Sequence, residues 1–304
     1  MSVCAVIVTF NRAALLERCV AAMLSQTAAP DRVWVIDNAS TDDTGSRMHA
    51  LAEAYPQVHY HRLASNTGGA GGFSEGMRLA TEAGYDWVWI MDDDAEPHPG
   101  ALEALARHAT DPSQVYGSVA VRGHETSWIL TVVDEDPPRD VALTADLRDV
   151  APVRFLPFLG LMVHRELVRR IGLPDAGYFI AADDVEYCMR AQRAGAQIFA
   201  IGDSRIEHPR AEVYHAWALG RRLACLRLAP WKRYYDTRNR LLIAREYYGG
   251  RLYTETIPGT VMRWAACMIN EKHRGRQTWA FLAGTLDGLR GRKGARHKQW
   301  NINP

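Results

Sequence analysis

Apolar runs alternate with stretches of helical period along the first ninety residues. Val3-Cys4-Ala5-Val6-Ile7-Val8-Thr9-Phe10 is apolar at every position but Thr9, which predicts a strand buried on both faces. Between Asn11 and Gln26 the apolar positions Leu15, Leu16, Cys19, Val20, Met23 and Leu24 fall on one helical face. A second strand covers residues 32–38, and Ser40-Thr41-Asp42-Asp43-Thr44 offers N-caps for an amphipathic stretch through Ala54. Residues 58–63 form a third, short strand, and Trp87-Val88-Trp89-Ile90-Met91 a fourth. This βαβαβαβ order predicts a parallel sheet with helices on both faces, and such sheets bind ligands at the carboxyl ends of their strands. Thr9, Asp37, Asn38 and the triplet Asp92-Asp93-Asp94 all fall at such ends.

The triplet is the first chemical signal. Packed carboxylates repel one another, and an oxygen-rich cluster suits Mg²⁺ or Mn²⁺ completed by substrate phosphates. About half of isolated Asp triplets are only exposed acidic turns; a buried strand leading into this one favours the functional reading. A second cluster, Asp183-Asp184-Val185-Glu186, precedes a helix through Ala194. One of its acids can serve as a general base for an acceptor hydroxyl, or it can cap the helix. Glu186 can instead pair with Arg190 four residues on. Gly68-Gly69-Ala70-Gly71-Gly72 is not the dinucleotide fingerprint and does not follow the first strand. It predicts a loop from Asn66 whose bare backbone approaches a ligand, then a helix over residues 73–84.

Taken in order, the motifs Val-Ile-Val-Thr-Phe-Asn-Arg, Val-Ile-Asp-Asn-Ala-Ser-Thr-Asp, Asn66-Thr67-Gly68-Gly69-Ala70-Gly71-Gly72-Phe73 and the Asp triplet resemble family 2 glycosyltransferases over roughly residues 3 to 240. The resemblance implies an α/β GT-A (Rossmann-like) mixed sheet with flanking helices, followed by a helical C-terminal region. It implies a nucleotide-sugar donor held through Thr9, Asn11, Arg12, Asp37, Asn38, Asn66, Gly69 and Gly72, with Asp93 on the donor ribose or sugar. Asp92, Asp94 and His208 become the ligands of Mg²⁺ or Mn²⁺ at the diphosphate; His215 is a weaker substitute and His164 structural. Asp184 becomes the base of an inverting transfer, with Asp183 its close competitor. The glycine-rich form most resembles bacterial galactofuranosyltransferases. That implies transfer from UDP-galactofuranose to a lipid-linked or polysaccharide acceptor of the cell envelope. Rhamnosyl transfer from dTDP-rhamnose is the alternative. A non-catalytic sugar-binding module is disfavoured because both acid clusters are intact.

Length and composition add an organisation. The chain has 304 residues, 47% of them hydrophobic, enough for one sizeable core at residues 1–210 and an addition at 211–304. Its net charge of +1 is unevenly spread: residues 210–304 carry 19 Lys or Arg against six acids, so +13 there faces −12 in residues 1–209. Helices are expected at 241–248 and 261–289. Their mixture of Trp264, Trp279, Phe281, Leu282 and Leu286 with basic residues suits either an anionic membrane interface or a helical bundle with a solvated face. No nucleic-acid recognition pattern accompanies the basic residues. Five cysteines without metal spacing point to a reducing compartment. With no leader visible and no apolar run long enough to span a bilayer, the expected place is the cytoplasm, with peripheral contact at the inner membrane face.

Overall fold

The computed structural model describes residues 1–210, 212–218 and 221–303. They divide into two compact units, Met1–Asp175 with Asp184–Arg210, and Ala176–Asp183 with Ala211–Pro304.

In the first unit β1 (Val3–Thr9), α1 (Ala13–Leu24), β2 (Arg32–Asp37), α2 (Thr44–Ala54), β3 (Val58–Arg62), α3 (Gly68–Glu82) and β4 (Trp87–Asp92) alternate as the hydrophobic pattern predicts. Beyond them come β5 (Glu96–Pro97), α4 (Ala101–His108), β6 (Val115–Arg122), β7 (Glu125–Val132), β8 (Arg139–Leu143), β9 (Val150–Pro152), β10 (Leu159–His164), α5 (Arg165–Ile171), α6 (Asp183–Arg193) and β11 (Ile198–Glu207). The main sheet runs β3-β2-β1-β4-β10-β6-β11-β5. Strands β1 to β4 are mutually parallel, whereas β10 lies antiparallel to both β4 and β6, so the sheet is mixed.

Successive β1 side chains enter opposite cores, as strand geometry requires. Cys4, Val6 and Val8 pack with Phe73 and Met77 of α3 and with Tyr187 and Cys188 of α6. Val3, Ala5 and Ile7 pack with Leu16, Val20 and Met23 of α1 and with α4. The strand order reverses between β1 and β4, which opens the crevice at their carboxyl ends.

The glycine run departs from the sequence expectation. The helix begins at Gly68, five residues before Phe73, so Gly69, Gly71 and Gly72 are helical. A Cβ on Gly72 would lie 2.5 Å from Val8 Cγ1, and one on Gly76 would lie 2.2 Å from Val6 Cγ1. These glycines let α3 press directly onto β1 and β2, a contact that any side chain would forbid.

The second unit contains β12 (Val213–Ala218) and β13 (Arg221–Leu226) as an antiparallel pair, then α7 (Pro230–Tyr247), α8 (Ile257–Asn270) and α9 (Arg274–Leu289). The helix expected from residue 241 already starts at Pro230, a residue suited to a first helical turn. The helix expected over 261–289 is two helices, broken where His273 takes a left-handed backbone. Glycines again set the packing: a Cβ on Gly284 would meet the Tyr234 carbonyl at 2.6 Å, so α9 lies tight against α7. Phe281 is buried, as a bundle position would be, while Ile269, Trp279 and Leu282 are exposed. No helix among the described residues is long and apolar enough to cross a membrane.

Candidate active site

The crevice between β1 and β4 is lined from both strand ends. Thr9, the last residue of β1, is buried, and its hydroxyl donates to Asp93 Oδ2 at 2.7 Å. Arg12, just before α1, donates from one Nη1 to Asp93 Oδ1 at 3.1 Å and to Asp94 Oδ2 at 2.9 Å. One half-exposed cation therefore joins two carboxylates of the triplet. Burial pushes the Asp93 carboxyl above the usual aspartate range, against the opposing pull of Arg12 and Thr9. Burial works on Asp94 in the same sense, but there His208 and Arg12 win and hold it below that range.

His208 comes from the end of β11. Its Nε2 lies 3.3 Å from Asp94 Oδ1, so a residue 114 positions downstream reaches the triplet. The other ring nitrogen, Nδ1, is buried without a hydrogen-bond partner. Asp92 ends β4, its main chain paired with Val8. Among the described residues no three His, Cys, Asp or Glu side chains are gathered as a ready cation site. The carboxylate and imidazole of Asp94 and His208 nonetheless form a donor pair that suits Mn²⁺ or Mg²⁺. Such ions commonly take only one or two carboxylates and draw their remaining oxygens from substrate phosphates and water.

Asp37 and Asn38 organise the neighbouring wall. Asp37, fully buried, accepts from the Ser40 amide at 2.9 Å and from the Tyr60 hydroxyl at 2.5 Å, with Arg62 Nε 3.7 Å away. Ser40 in turn accepts from the Asn11 amide at 2.8 Å, while Asn11 Oδ1 accepts from the Thr41 amide at 2.7 Å. Asn11 holds a left-handed backbone with φ 53°, which asparagine tolerates better than most residues. Asn38 Oδ1 accepts from the Thr67 amide at 3.1 Å and hydroxyl at 3.0 Å, tying the start of α3 to β2. Asn66 Oδ1 accepts from the Gly68 amide at 2.8 Å. Gly69 is free of such packing, since a Cβ there would meet nothing nearer than Phe73 at 3.9 Å. Of the residues that build this wall, Ser40 entered the sequence reading only as a helix cap, Thr67 only inside the glycine motif, and Tyr60 not as a site residue at all.

The second acid cluster opens α6. Asp184 Oδ1 accepts from the Val185 amide at 2.7 Å, and burial pushes its carboxyl up to about 6 despite that bond. Asp183 is buried. Glu186 grips Arg190, whose Nη2 lies 2.6 Å from Glu186 Oε2 and whose Nη1 reaches the carbonyls of Ile171 and Leu173. That gives Glu186 a structural use. Phe158 stands between Phe73 of α3 and Tyr187 of α6, at centroid distances of 4.8 and 5.9 Å, so one aromatic row links the glycine helix to the acid helix. His164 caps α5 by accepting from the Glu166 amide, and His215 lies on exposed β12.

The profile of glycosyl transferase family 2 matches residues 4–171. Galactofuranosyltransferase GlfT1 of Mycobacterium tuberculosis is 30% identical over 256 residues, covering 79% of this chain and 81% of that protein. The N-acetylglucosaminyl-diphospho-decaprenol L-rhamnosyltransferase of the same species is 26% identical over 237 residues, covering 68% and 75%. Among solved structures, the mannosyltransferase PcManGT of Pyrobaculum calidifontis in complex with GDP-Man and Mn²⁺ superposes with a TM-score of 0.59 at 18% identity, over 94% of this chain and 86% of that one.

Proposed function

The chain belongs to glycosyl transferase family 2, and on that premise we propose that it transfers galactofuranose, with inversion, from UDP-galactofuranose to a lipid-linked or polysaccharide acceptor in cell-envelope glycan synthesis. The donor assignment leans on the likeness to GlfT1, which exceeds that to the rhamnosyltransferase in both identity and coverage. Rhamnosyl transfer from dTDP-rhamnose is the second reading. The observation that carries the proposal is the meeting of Asp94 and His208 in the β1–β4 crevice, beside the Thr9–Asp93 bond.

Asp94 and His208, with Asp92 at the strand end, would hold Mg²⁺ or Mn²⁺, which when bound neutralises the charge that develops on a diphosphate leaving group. The chain's own groups do the rest. Thr9, Asn11, Arg12, Asp37 and Asn38 shape the wall for base and ribose, Asn66 and Gly69 present the first turn of α3 toward the donor, and Gly72 contributes by letting that helix sit close against β1. Asp93 faces ribose or sugar. Asp184 takes the acceptor hydroxyl's proton as that oxygen attacks, with Asp183 the alternative. A carboxyl raised to about 6 is both ionised at neutral pH and basic enough to accept a proton in the transition state. This chemistry would belong to residues 1–210, with the basic region 211–304 facing the membrane that carries the acceptor. Exposed Ile269, Trp279 and Leu282 support peripheral contact there.

A panel of purified UDP- and dTDP-sugars, read first by donor saturation and then by turnover, tests the proposal. Turnover with UDP-galactofuranose above all others is the expected result; preference for dTDP-rhamnose replaces the donor assignment, and binding without any turnover returns the chain to a sugar-binding module.

A further inference from the structure

The segment leading into the second acid cluster holds an improbable backbone. Phe179, Ala181 and Ala182 all adopt left-handed conformations, with φ of 65°, 70° and 60°. None is glycine, and non-glycine residues enter this region only under constraint. Asp183 follows immediately.

The constraint comes from two consecutive, fully buried residues of α7. Arg238 Nη2 donates to the carbonyls of Tyr178 at 2.7 Å and Gly177 at 3.1 Å. Its Nη1 donates to the Gly294 carbonyl at 2.6 Å, and the Gly294 amide donates back to Gly177 at 2.6 Å. Asn239 Nδ2 serves three carbonyls, Ala181 at 2.7 Å, Ile180 at 2.9 Å and Tyr178 at 3.1 Å. Arg238 Nε donates to Asn239 Oδ1 at 2.8 Å, which fixes the amide with its NH₂ toward the loop. Below, the Phe179 ring stacks on Tyr235 at 4.9 Å, and the guanidinium lies 4.7 Å from the Tyr235 centroid. Carbonyls that regular structure would have paired internally thus converge on one guanidinium and one amide. A purely packing role for these two residues would need none of that directionality.

We propose that Arg238 and Asn239 are positioning residues for the transfer step: their donors hold residues 177–182 in the left-handed path that presents Asp183 and Asp184 as base. This rests on the reading of that pair as the base. Both side chains are fully buried and their donors are spent on the loop, Gly294 and each other, so their route to turnover is through the loop. Misplacing a base by about 1 Å can lower turnover about 100-fold.

The test is Asn239→Ala and Arg238→Lys, each compared with wild type for UDP binding, for KM and kcat with UDP-galactofuranose and an acceptor, and for amide exchange of residues 178–185. Expected are donor binding within about twofold, kcat lower by roughly 10- to 100-fold and faster exchange confined to the segment. Adding Ala181→Gly and Ala182→Gly to Asn239→Ala should recover several-fold of the lost kcat, since glycine adopts the left-handed region without a side-chain clash. A kcat within twofold of wild type, parallel loss of donor binding and turnover, or no recovery by the glycines overturns the proposal. Failure of the base reading shows differently. Exchange then still rises in the variants, while Asp183→Asn and Asp184→Asn in the intact loop leave kcat unchanged.

Discussion

Replacing Gly72 by alanine separates two explanations of the glycine-rich stretch. If the glycines serve only to bare backbone for the donor, Gly72→Ala and Gly69→Ala should behave alike, keeping stability and losing donor affinity. The structure assigns them different tasks. A Cβ on Gly72 would sit 2.5 Å from Val8 Cγ1, 3.1 Å from Val8 Cγ2 and 3.0 Å from Asn38 Nδ2, and Val8 is fixed in the buried strand β1. Relief requires α3 to move out by close to 1 Å. Overpacking of this kind costs about 1–3 kcal/mol, and the helix gains up to about 1 kcal/mol from alanine over glycine. Because Val8 sits in a rigid buried strand the cost falls in the upper half of that range, about 2–3 kcal/mol, and the net expectation is a loss of about 1–2 kcal/mol, or about 2–8 °C in Tm for a unit of this size. The displaced helix also disturbs Asn38, which holds Thr67, so donor affinity falls as well. At Gly69 the nearest contact of 3.9 Å is ordinary, and Gly69→Ala should be neutral or up to about 1 kcal/mol stabilising. Thermal unfolding of both variants, with UDP titration alongside, is the assay. A Gly72→Ala protein as stable as Gly69→Ala would refute the packing argument.

Asp184→Asn should keep donor affinity and lose turnover by about 10²–10⁴-fold. In the wild type kcat/KM should fall as pH drops through about 6, because the base is lost on protonation; an acid limb that persists in Asp184→Asn would point to another base. Arg12→Met removes the cation bound to Asp93 and Asp94, so donor-free Mn²⁺ binding should tighten. Because Arg12 is half exposed, its worth is about 1 kcal/mol, or roughly fivefold; weaker Mn²⁺ binding measured by electron paramagnetic resonance would contradict it. If the basic region contacts an anionic membrane, its free cations carry the contact; Arg292 and Arg296, 3.7 and 3.0 Å from buried Asp287, are engaged within the protein. Neutralising exposed Lys272, Arg274, Arg276 and Arg290 should release the protein from anionic vesicles at low salt, and undiminished co-sedimentation would leave the region a bundle element.

The parallel half of the sheet was legible because β1 and β4 are buried on both faces, β2 is buried over its last three residues, and their apolar runs are uninterrupted. The acids at their ends were legible for the same reason, since each run stops abruptly in polar residues. His208 was legible only through resemblance: nothing local to it tells that β11 carries it 3.3 Å from Asp94. The helix over 73–84 was legible but its start at Gly68 was not, because glycine disfavours helix in isolation, whereas here the approach of α3 to Val6 and Val8 decides the conformation. The break before α9 carries no proline or glycine and falls where Glu271 is extended and His273 left-handed. Least legible was the use of Arg238 and Asn239, whose acceptors lie about sixty residues away in sequence.

The most direct measurement is UDP release from UDP-galactofuranose with a water-soluble acceptor, for wild type and Asp94→Ala, in Mn²⁺ and in excess chelator. Transfer by the wild type in Mn²⁺, near-complete loss in chelator and no restoration of Asp94→Ala by Mn²⁺ are the predicted results. Undiminished transfer by Asp94→Ala in chelator would contradict the account.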